Sequence, residues 1–223
     1  MRFTPALFNH TEALLSELLR SSFPADLVVS RYFRQNRELG HSDRGFVAET
    51  VYSVLRRKRS LSARCFENVT SRRLLLVALA CVSGLNRREL DIVLRESEGK
   101  WLSEAKALKL EDLPPAVRLD LPDWLYETLL AQFAVAELEA LTTSLNQPAP
   151  LDLRANSLKA ERETVLARLN ADGLVAQPCR YSPLGIRLAG KPALAKHPLF
   201  IDGSFEVQDE GSQLLGFLDR KSV

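Results

Sequence analysis

Apolar residues return every three or four positions through residues 1–143, and the alternation of a half-buried strand is missing there, so this part of the chain is predicted to be helical almost throughout. Leu14, Leu15, Leu18 and Leu19 make one stripe. A second helix is predicted from Pro24, a residue suited to the first helical position, with Val28, Tyr32 and Phe33 turned inward. After the turn at Glu38-Leu39-Gly40, Ser42 and Asp43 are candidate caps for a helix that gathers Phe46, Val47, Thr50, Val51, Val54 and Leu55 on one face. Leu74 to Val82 is apolar all round, which predicts a central helix covered by its neighbours, with Cys81 in the core and Gly84 as its stop. Asn86 and Glu89 have capping-box spacing for a helix over Leu90 to Leu94, and the pairs Arg72-Arg73 and Arg87-Arg88 are expected to point outward at the ends of the buried helix. Pro122 opens a helix that would keep Leu125, Leu129, Phe133 and Ala136 on one side.

The pattern changes at Asn146-Gln147-Pro148-Ala149-Pro150. Leu151, Leu153 and Ala155 alternate with Asp152, Arg154 and Asn156, the period of a strand with one wet face. A turn at Ser157 leads to a helix bearing Val165, Leu166 and Leu169 that closes near Gly173, and short strands are predicted around Leu174 to Ala176 and Gly185 to Leu188. The division is therefore a helical domain over 1–143 and a small α+β domain over 144–203. In residues 204–223, Asp209 or Glu210 can cap an amphipathic helix whose Leu214, Leu215 and Leu218 need a covering surface. That segment reads as the opening of a further domain that the 223 residues do not complete.

Composition is that of an ordinary globular chain, 46% hydrophobic and 26% charged. No apolar run approaches the roughly 18 residues of a bilayer span, and the N-terminus lacks a signal-peptide core, so a cytoplasmic location without membrane attachment is expected. The net charge of +2 conceals an uneven distribution. Residues 31–88 hold 13 Lys or Arg against 4 Asp or Glu, a balance of +9, whereas residues 89–143 hold 5 against 12, a balance of −7. Such asymmetry suits a basic face turned to a polyanion, and it also suits solvated helix faces sorted by sign.

Chemistry-bearing motifs are sparse. The phosphate-cradling G-x-G-x-x-G and G-x-x-x-x-G-K-[ST], the zinc motif H-E-x-x-H and the nucleophile elbow G-x-S-x-G are all absent. Cys65, Cys81 and Cys179 are odd in number and far apart, and His10, His41 and His197 have no ligand spacing, so neither a disulfide framework nor a metal site is expected. The pairs Glu96 with Glu98 and Glu161 with Glu163 read as solvated helix faces.

Three segments together resemble one family. The stretch Ser30 to Arg56, with Arg31-Tyr32-Phe33, Leu39-Gly40 and Arg44-Gly45-Phe46-Val47, looks like the opening of a NusB-like helical domain. Leu153-Arg154-Ala155-Asn156-Ser157-Leu158-Lys159 is similar to a Leu-Arg-x-Asn-Thr-Leu-Lys signature. Gly203 to Gln213, with Gln208-Asp209 at its centre, is similar to a Gly-x-x-x-x-Gln-Asp-x-x-Ser signature. In that order they resemble the RsmB (Sun/Fmu) family of S-adenosylmethionine-dependent ribosomal RNA cytosine-5 methyltransferases. The resemblance implies a mainly α chain, a NusB-like helical bundle followed by a small α+β, RRM-like domain, with residues 204–223 beginning a Rossmann-like methyltransferase domain that is otherwise missing. The family's cofactor loop, Asp-x-Cys-Ala-x-Pro-Gly-Gly-Lys, and its Pro-Cys and Thr-Cys catalytic contexts are not found here, and Cys65, Cys81 and Cys179 match neither context. No catalytic or cofactor-binding residue is therefore assigned. S-adenosyl-L-methionine is implied for the intact protein and none is expected on these residues.

Within that resemblance the expected partner is small-subunit ribosomal RNA. Arg154, Asn156 and Lys159 are candidate contacts because strand alternation puts the first two on the wet face and Lys159 follows closely. For the same residues a local reading stands beside it, in which Asn156 caps the turn and Arg154 pairs with Asp152 or Glu206. Arg56, Arg57, Lys58 and Arg59 form a second candidate contact, with a solvated helix end as the alternative. Gln208, Asp209 and Ser212 are expected to brace a following domain, and Tyr181 either stacks on a base or packs beside the Ser182-Pro183 turn. Two other functions remain open: a stand-alone NusB-like RNA-binding or antitermination module, and a protein-interaction scaffold.

Overall fold

A computed structural model describes residues 3–219. The chain divides into two units, residues 1–147 and 148–223.

In the first unit the buried helix predicted from the apolar run is α5 (Ser71–Cys81), in which every side chain from Leu74 to Ala80 is buried. Thr70 caps it, its Oγ1 accepting from the Arg73 N–H at 3.2 Å, and Gly84, at φ +72°, lies in the reversal that follows. Around α5 pack α1 (Pro5–Arg20), α3 (His41–Arg56), α4 (Lys58–Arg64) and α7 (Glu98–Ala107), while α2 (Ala25–Gln35) lies against α1. Val28, Val51, Val54, Leu61 and Leu102 join one core that runs from Leu7 to Ala105. The Asn86–Glu89 capping box forms, but the helix it starts, α6 (Arg87–Leu90), is a single turn. The unit ends with α8 (Pro115–Arg118), α9 (Asp123–Leu130) and α10 (Val135–Leu145).

Several expectations are corrected here. Ser42 and Asp43 lie inside α3, whose cap is Gly40, because the helix begins at His41. Pro24 and Pro122 stand one residue before their helices, as caps. Cys81 is exposed, since at the last turn of α5 it faces away from the Leu75–Leu79 core. The helix expected to carry Leu125 through Ala136 breaks after Leu130, and Ala134, with ψ 151°, caps a new one. Arg72 does not point outward. Its guanidinium lies 5.0 Å from the Phe8 ring, donates to both oxygens of Glu98 at 2.7 and 2.8 Å and reaches Glu12 at 3.4 Å. Glu98 is consequently a half-buried partner and not part of a solvated face: burial raises its carboxyl, but Arg72 and the Arg95 N–H together hold it below the usual range. Arg73 also turns back, stacking 4.6 Å from the Trp101 ring.

The second unit is a four-stranded antiparallel sheet in the order β2-β3-β1-β4, made of β1 (Leu151–Ala155), β2 (Ala176–Pro178), β3 (Gly185–Leu188) and β4 (Phe205–Val207). With α11 (Arg162–Ala171) between β1 and β2, and α12 (Pro198–Ile201) between β3 and β4, this is the βαββαβ split-βαβ arrangement. Register puts Leu153 opposite Ile186 and Ala155 opposite Phe205, so these side chains share the core that α11 covers with Val165 and Leu169, while Val207, also opposite Leu153, is exposed at the edge. The segment from 204 onward supplies β4 and then α13 (Glu210–Asp219), while Arg220 to Val223 lie outside the described residues. Gly185 has no Cβ because the Cys179 Cβ would stand 2.6 Å from it.

Leu76→Ala should destabilise the helical unit by about 2–5 kcal/mol, because the cavity would open inside the α5 core. The exposed Leu215→Ala should stay within about 0.5 kcal/mol. Urea titration followed by fluorescence of the buried Trp101 checks the first, and amide exchange in the sheet checks the second.

Candidate nucleic-acid interface

Strand alternation sends Asp152 and Arg154 of β1 to the face opposite α11, together with Arg187 of β3 and Glu206 of β4. That face was expected to be wet, and at Asp152 it is not: the residue is buried. Arg187 donates Nε and Nη2 to the two Asp152 oxygens at 2.7 and 2.8 Å and reaches Glu210 at 3.4 Å. The Arg187 hydrogen bonds hold the Asp152 carboxyl below the usual range against the opposing effect of burial, helped by the Glu210 N–H at 3.3 Å.

This pair is where the Gln208–Gln213 signature engages the sheet. Asp209 caps α13, its Oδ1 accepting from the Ser212 N–H at 3.2 Å. The cap leaves Glu210 and Gln213 on the inner side of the helix. Glu210 Oε1 accepts the backbone N–H groups of Tyr181 and Ser182. Gln213 donates to the carbonyls of Leu153, at 3.2 Å, and Gln208, at 2.8 Å, and its own oxygen accepts from Ser182 Oγ at 2.6 Å. The Gln208 N–H donates to the Asp152 carbonyl. Within the described residues, then, Gln208 and Asp209 secure α13 to its own sheet, and the inner contacts come from Glu210, expected only as an alternative cap, and from Gln213, to which sequence reading gave no role. The acid three residues after Val207 and the glutamine three further on carried a signal only in their spacing, one helical turn apart on the face opposite Leu215 and Leu218.

Asp152, Cys179 and Glu210 bring donor atoms within 4.8 Å of one another, a grouping of the kind that binds metals. The guanidinium of Arg187 already faces both carboxylates, and burial with the two carboxylates pushes the Cys179 thiol up to about 11, so the three form an ion-paired core with an unreactive thiol.

The candidate RNA contacts of β1 come together at its C-terminal end. Arg154 pairs with Glu206 at 2.6 Å, both side chains remaining well exposed. Asn156 donates to the Gly203 carbonyl at 3.0 Å and accepts from the Leu158 N–H at 3.2 Å, so its amide caps the turn. Lys159 Nζ donates to the Asp202 carbonyl beside Gly203, whose φ of +76° needs glycine. The local reading of Arg154 and Asn156 thus describes their contacts, and Leu158 stands at the tip, 94% exposed. Tyr181 does not pack into the Ser182-Pro183 turn: it is 62% exposed, with the Arg180 guanidinium 5.0 Å from its ring.

In the helical unit, the second candidate cluster is largely drawn inward. Arg56 pairs with Glu49 at 2.8 Å. Arg57 donates to Ser53 Oγ at 3.1 Å and to the Asn146 carbonyl at 2.6 Å. Arg59 pairs with Asp123 at 2.9 Å and donates to the Leu121 carbonyl, while Lys58 is exposed. Much of the +9 balance is spent in this way, and the exposed cations of that segment include Arg34, Arg37, Lys58 and Arg88.

A match to the family model "Methyltr_RsmF/B-like, ferredoxin-like domain" covers residues 121–195. The chain is 28% identical to "Probable ribosomal RNA small subunit methyltransferase B" of Synechocystis sp., across 90% of the chain and 52% of that protein. It is 35% identical to "Ribosomal RNA small subunit methyltransferase B" of Pseudomonas syringae pv. tomato across 56% of the chain and 27% of that protein, and 38% identical to the Pseudomonas putida protein of the same name across 45% and 23%. The chain thus spans about half the length of the Synechocystis relative, and its matches to the other two cover about a quarter of each. Among solved structures the fold is similar to the crystal structure of PH0851, with a TM-score of 0.65 at 17% identity over 98% of the chain and 56% of that structure.

Arg187→Met should destabilise the small unit by about 2–4 kcal/mol, since it leaves Asp152 buried without its cation, and the 35% exposure of Arg187 tempers the loss. A depressed carboxyl contributes stability that is complete above its unfolded value of about 4 and is lost as pH falls through the lower folded value. Urea midpoints of the small unit should therefore fall on that acid side in the native protein and much less in Arg187→Met.

Proposed function

The chain carries the N-terminal region of the RsmB (Sun/Fmu) family, and on that premise we propose that residues 1–219 recognise and position small-subunit ribosomal RNA for cytosine-5 methylation by the intact protein, with S-adenosyl-L-methionine as methyl donor. The observation that carries the reading is the match to a ribosomal RNA methyltransferase B relative across 90% of the chain, through both units.

The sheet among the described residues is short and wholly antiparallel, with β1 hydrogen-bonded on both sides and Glu210, Gln213 and Arg187 occupying the face away from α11. It has no parallel-strand crevice of the kind that holds a dinucleotide-like cofactor at a switch point, so these residues do not fit S-adenosylmethionine and no chemical step is assigned to them. Their work in this reading is electrostatic and steric. Arg34, Arg37, Lys58 and Arg88 offer exposed cations to phosphates. Arg154 can exchange its exposed Glu206 partner for phosphate at little cost, because a surface ion pair is worth about 0–1 kcal/mol, and Lys159 is engaged only by a backbone carbonyl. Tyr181 beneath Arg180 offers a stacking surface for an unpaired base, and Asn156 holds the turn that leads to Lys159.

Filter binding of a small-subunit rRNA fragment across a salt series tests this. Affinity should fall with salt, and each of Lys58→Ala, Arg88→Ala and Lys159→Ala should reduce the log–log slope by about 1 if it removes one phosphate contact. Replacing Arg56, Arg57, Lys58 and Arg59 together by Ala should flatten the slope further. A slope near zero in the native chain would favour a protein-interaction scaffold. Calorimetry with S-adenosylmethionine should give no saturable heat on these 223 residues.

A further inference from the structure

The helical unit contains a cleft of about 330 Å³ beside the start of α4, and three of its lining residues are arginines, Arg57, Arg64 and Arg118, against one acid, Asp120. Their partners are unequal. Arg118 pairs with Glu139 through Nη2, yet its Nε is buried with no hydrogen-bond partner. Arg57 is bonded only to a hydroxyl and a carbonyl, and Arg64, 8% exposed, donates Nη1 to the Ala105 carbonyl at 2.6 Å. Among the described residues neither Arg57 nor Arg64 has a carboxylate within ion-pair distance.

Asp120 does not make up the deficit. Its two oxygens are engaged by the Ser60 N–H and Oγ, each at 2.8 Å, and it is held at a φ of +58°, which only surrounding structure would impose on a non-glycine residue. Burial and the adjacent Arg56 disfavour the charged form of Arg57 more than Asp120 and Glu49 favour it. A guanidinium has five N–H donors, and the uses above leave most of those on Arg57 and Arg64 to be satisfied by whatever occupies the cleft. Leu61, on the helix between Arg57 and Arg64, together with Val82 and Leu110 gives the cleft an apolar part to its lining.

We propose that this cleft binds one nucleotide unit, its phosphate on Arg57 and Arg64 and its base against Leu61, Val82 and Leu110. Planar, doubly donating guanidiniums match phosphate oxygens, and a site of roughly 300 Å³ or more with a partly apolar lining is the size class of a small-molecule pocket. The nucleotide can be part of an RNA chain or free, and only the first source rests on the function proposed above.

Isothermal titration of the full chain with uridine 5′-monophosphate, with uridine and with inorganic phosphate tests the cleft. The monophosphate is expected to bind saturably and the nucleoside at least about tenfold more weakly. Arg57→Gln should weaken the monophosphate about tenfold or more. So should Val82→Asp, which places an anion on an exposed part of the wall and leaves the core intact. No saturable binding at roughly 10 mM monophosphate, where a millimolar dissociation constant would already show, overturns the proposal, as does equal binding by both variants. The same variants with an rRNA fragment separate the sources: weaker binding identifies an RNA nucleotide, and unchanged binding identifies a free one. Monophosphate binding by a chain that binds no RNA would refute the proposed function and keep the cleft.

Discussion

Arg187 donates to both oxygens of Asp152 and reaches Glu210 in the first turn of α13, and the small unit depends on this placement of charge. A four-stranded sheet has two faces, and α11 with its apolar side chains covers only one. Over Asp152 the other is covered by a helix whose inner residues are Glu210 and Gln213, while Leu215 and Leu218 face outward. Polar covering of a sheet face is stable only if every buried group finds a partner, and here the backbone N–H groups of Tyr181 and Ser182, the carbonyls of Leu153 and Gln208, and the hydroxyl of Ser182 supply most of them. Hydrogen bonds are directional where apolar contact is not, so the position of α13 on its sheet is specified closely.

The helical unit uses charge in a related way. Arg72 between Glu98 and Glu12, Arg64 on the Ala105 carbonyl and Arg59 on Asp123 join distant parts of the chain around the α5 core. Basic residues that look like a polyanion-binding strip when counted along the sequence are thereby divided into internal ties and a smaller exposed set. For recognition this division matters more than the total. An exposed lysine contributes to long-range attraction, which salt screens, whereas a guanidinium confined in a cleft contributes geometry.

The two family-like signatures acquire physical roles from the same contacts. Asn156 binds the Gly203 carbonyl, so the middle of the first signature is tied to the beginning of the second. Leu153, at the start of the first, accepts from Gln213, at the end of the second. Side-chain types that suggest RNA contact are in part what holds β1 to the turn before β4, and they leave Arg154, Lys159, Leu158 and Tyr181 at the surface that the lock presents.

Element type was legible where periodicity was strong: the all-apolar Leu74–Val82 run and the alternation from Leu151 to Ala155 became the helix and strand their spacing required, while the Asn86–Glu89 box formed its cap but started only a single turn and not the helix expected over Leu90 to Leu94. Such patterns record backbone geometry, which repeats along the chain and so can be read from it. The partners of the charged residues were not legible. Arg72 meets Glu98, Asp152 meets Arg187 and Ser60 meets Asp120 across 26, 35 and 60 positions, and no local pattern distinguishes an arginine that will find a carboxylate from one that will face water. Cys81 and Glu98 were misplaced for the same reason, since the face a residue finally shows is set by what packs against its element. Periodicity determined where helices and strands lie, and only the tertiary structure decided which charges are buried in pairs, which close a cleft and which remain for a partner.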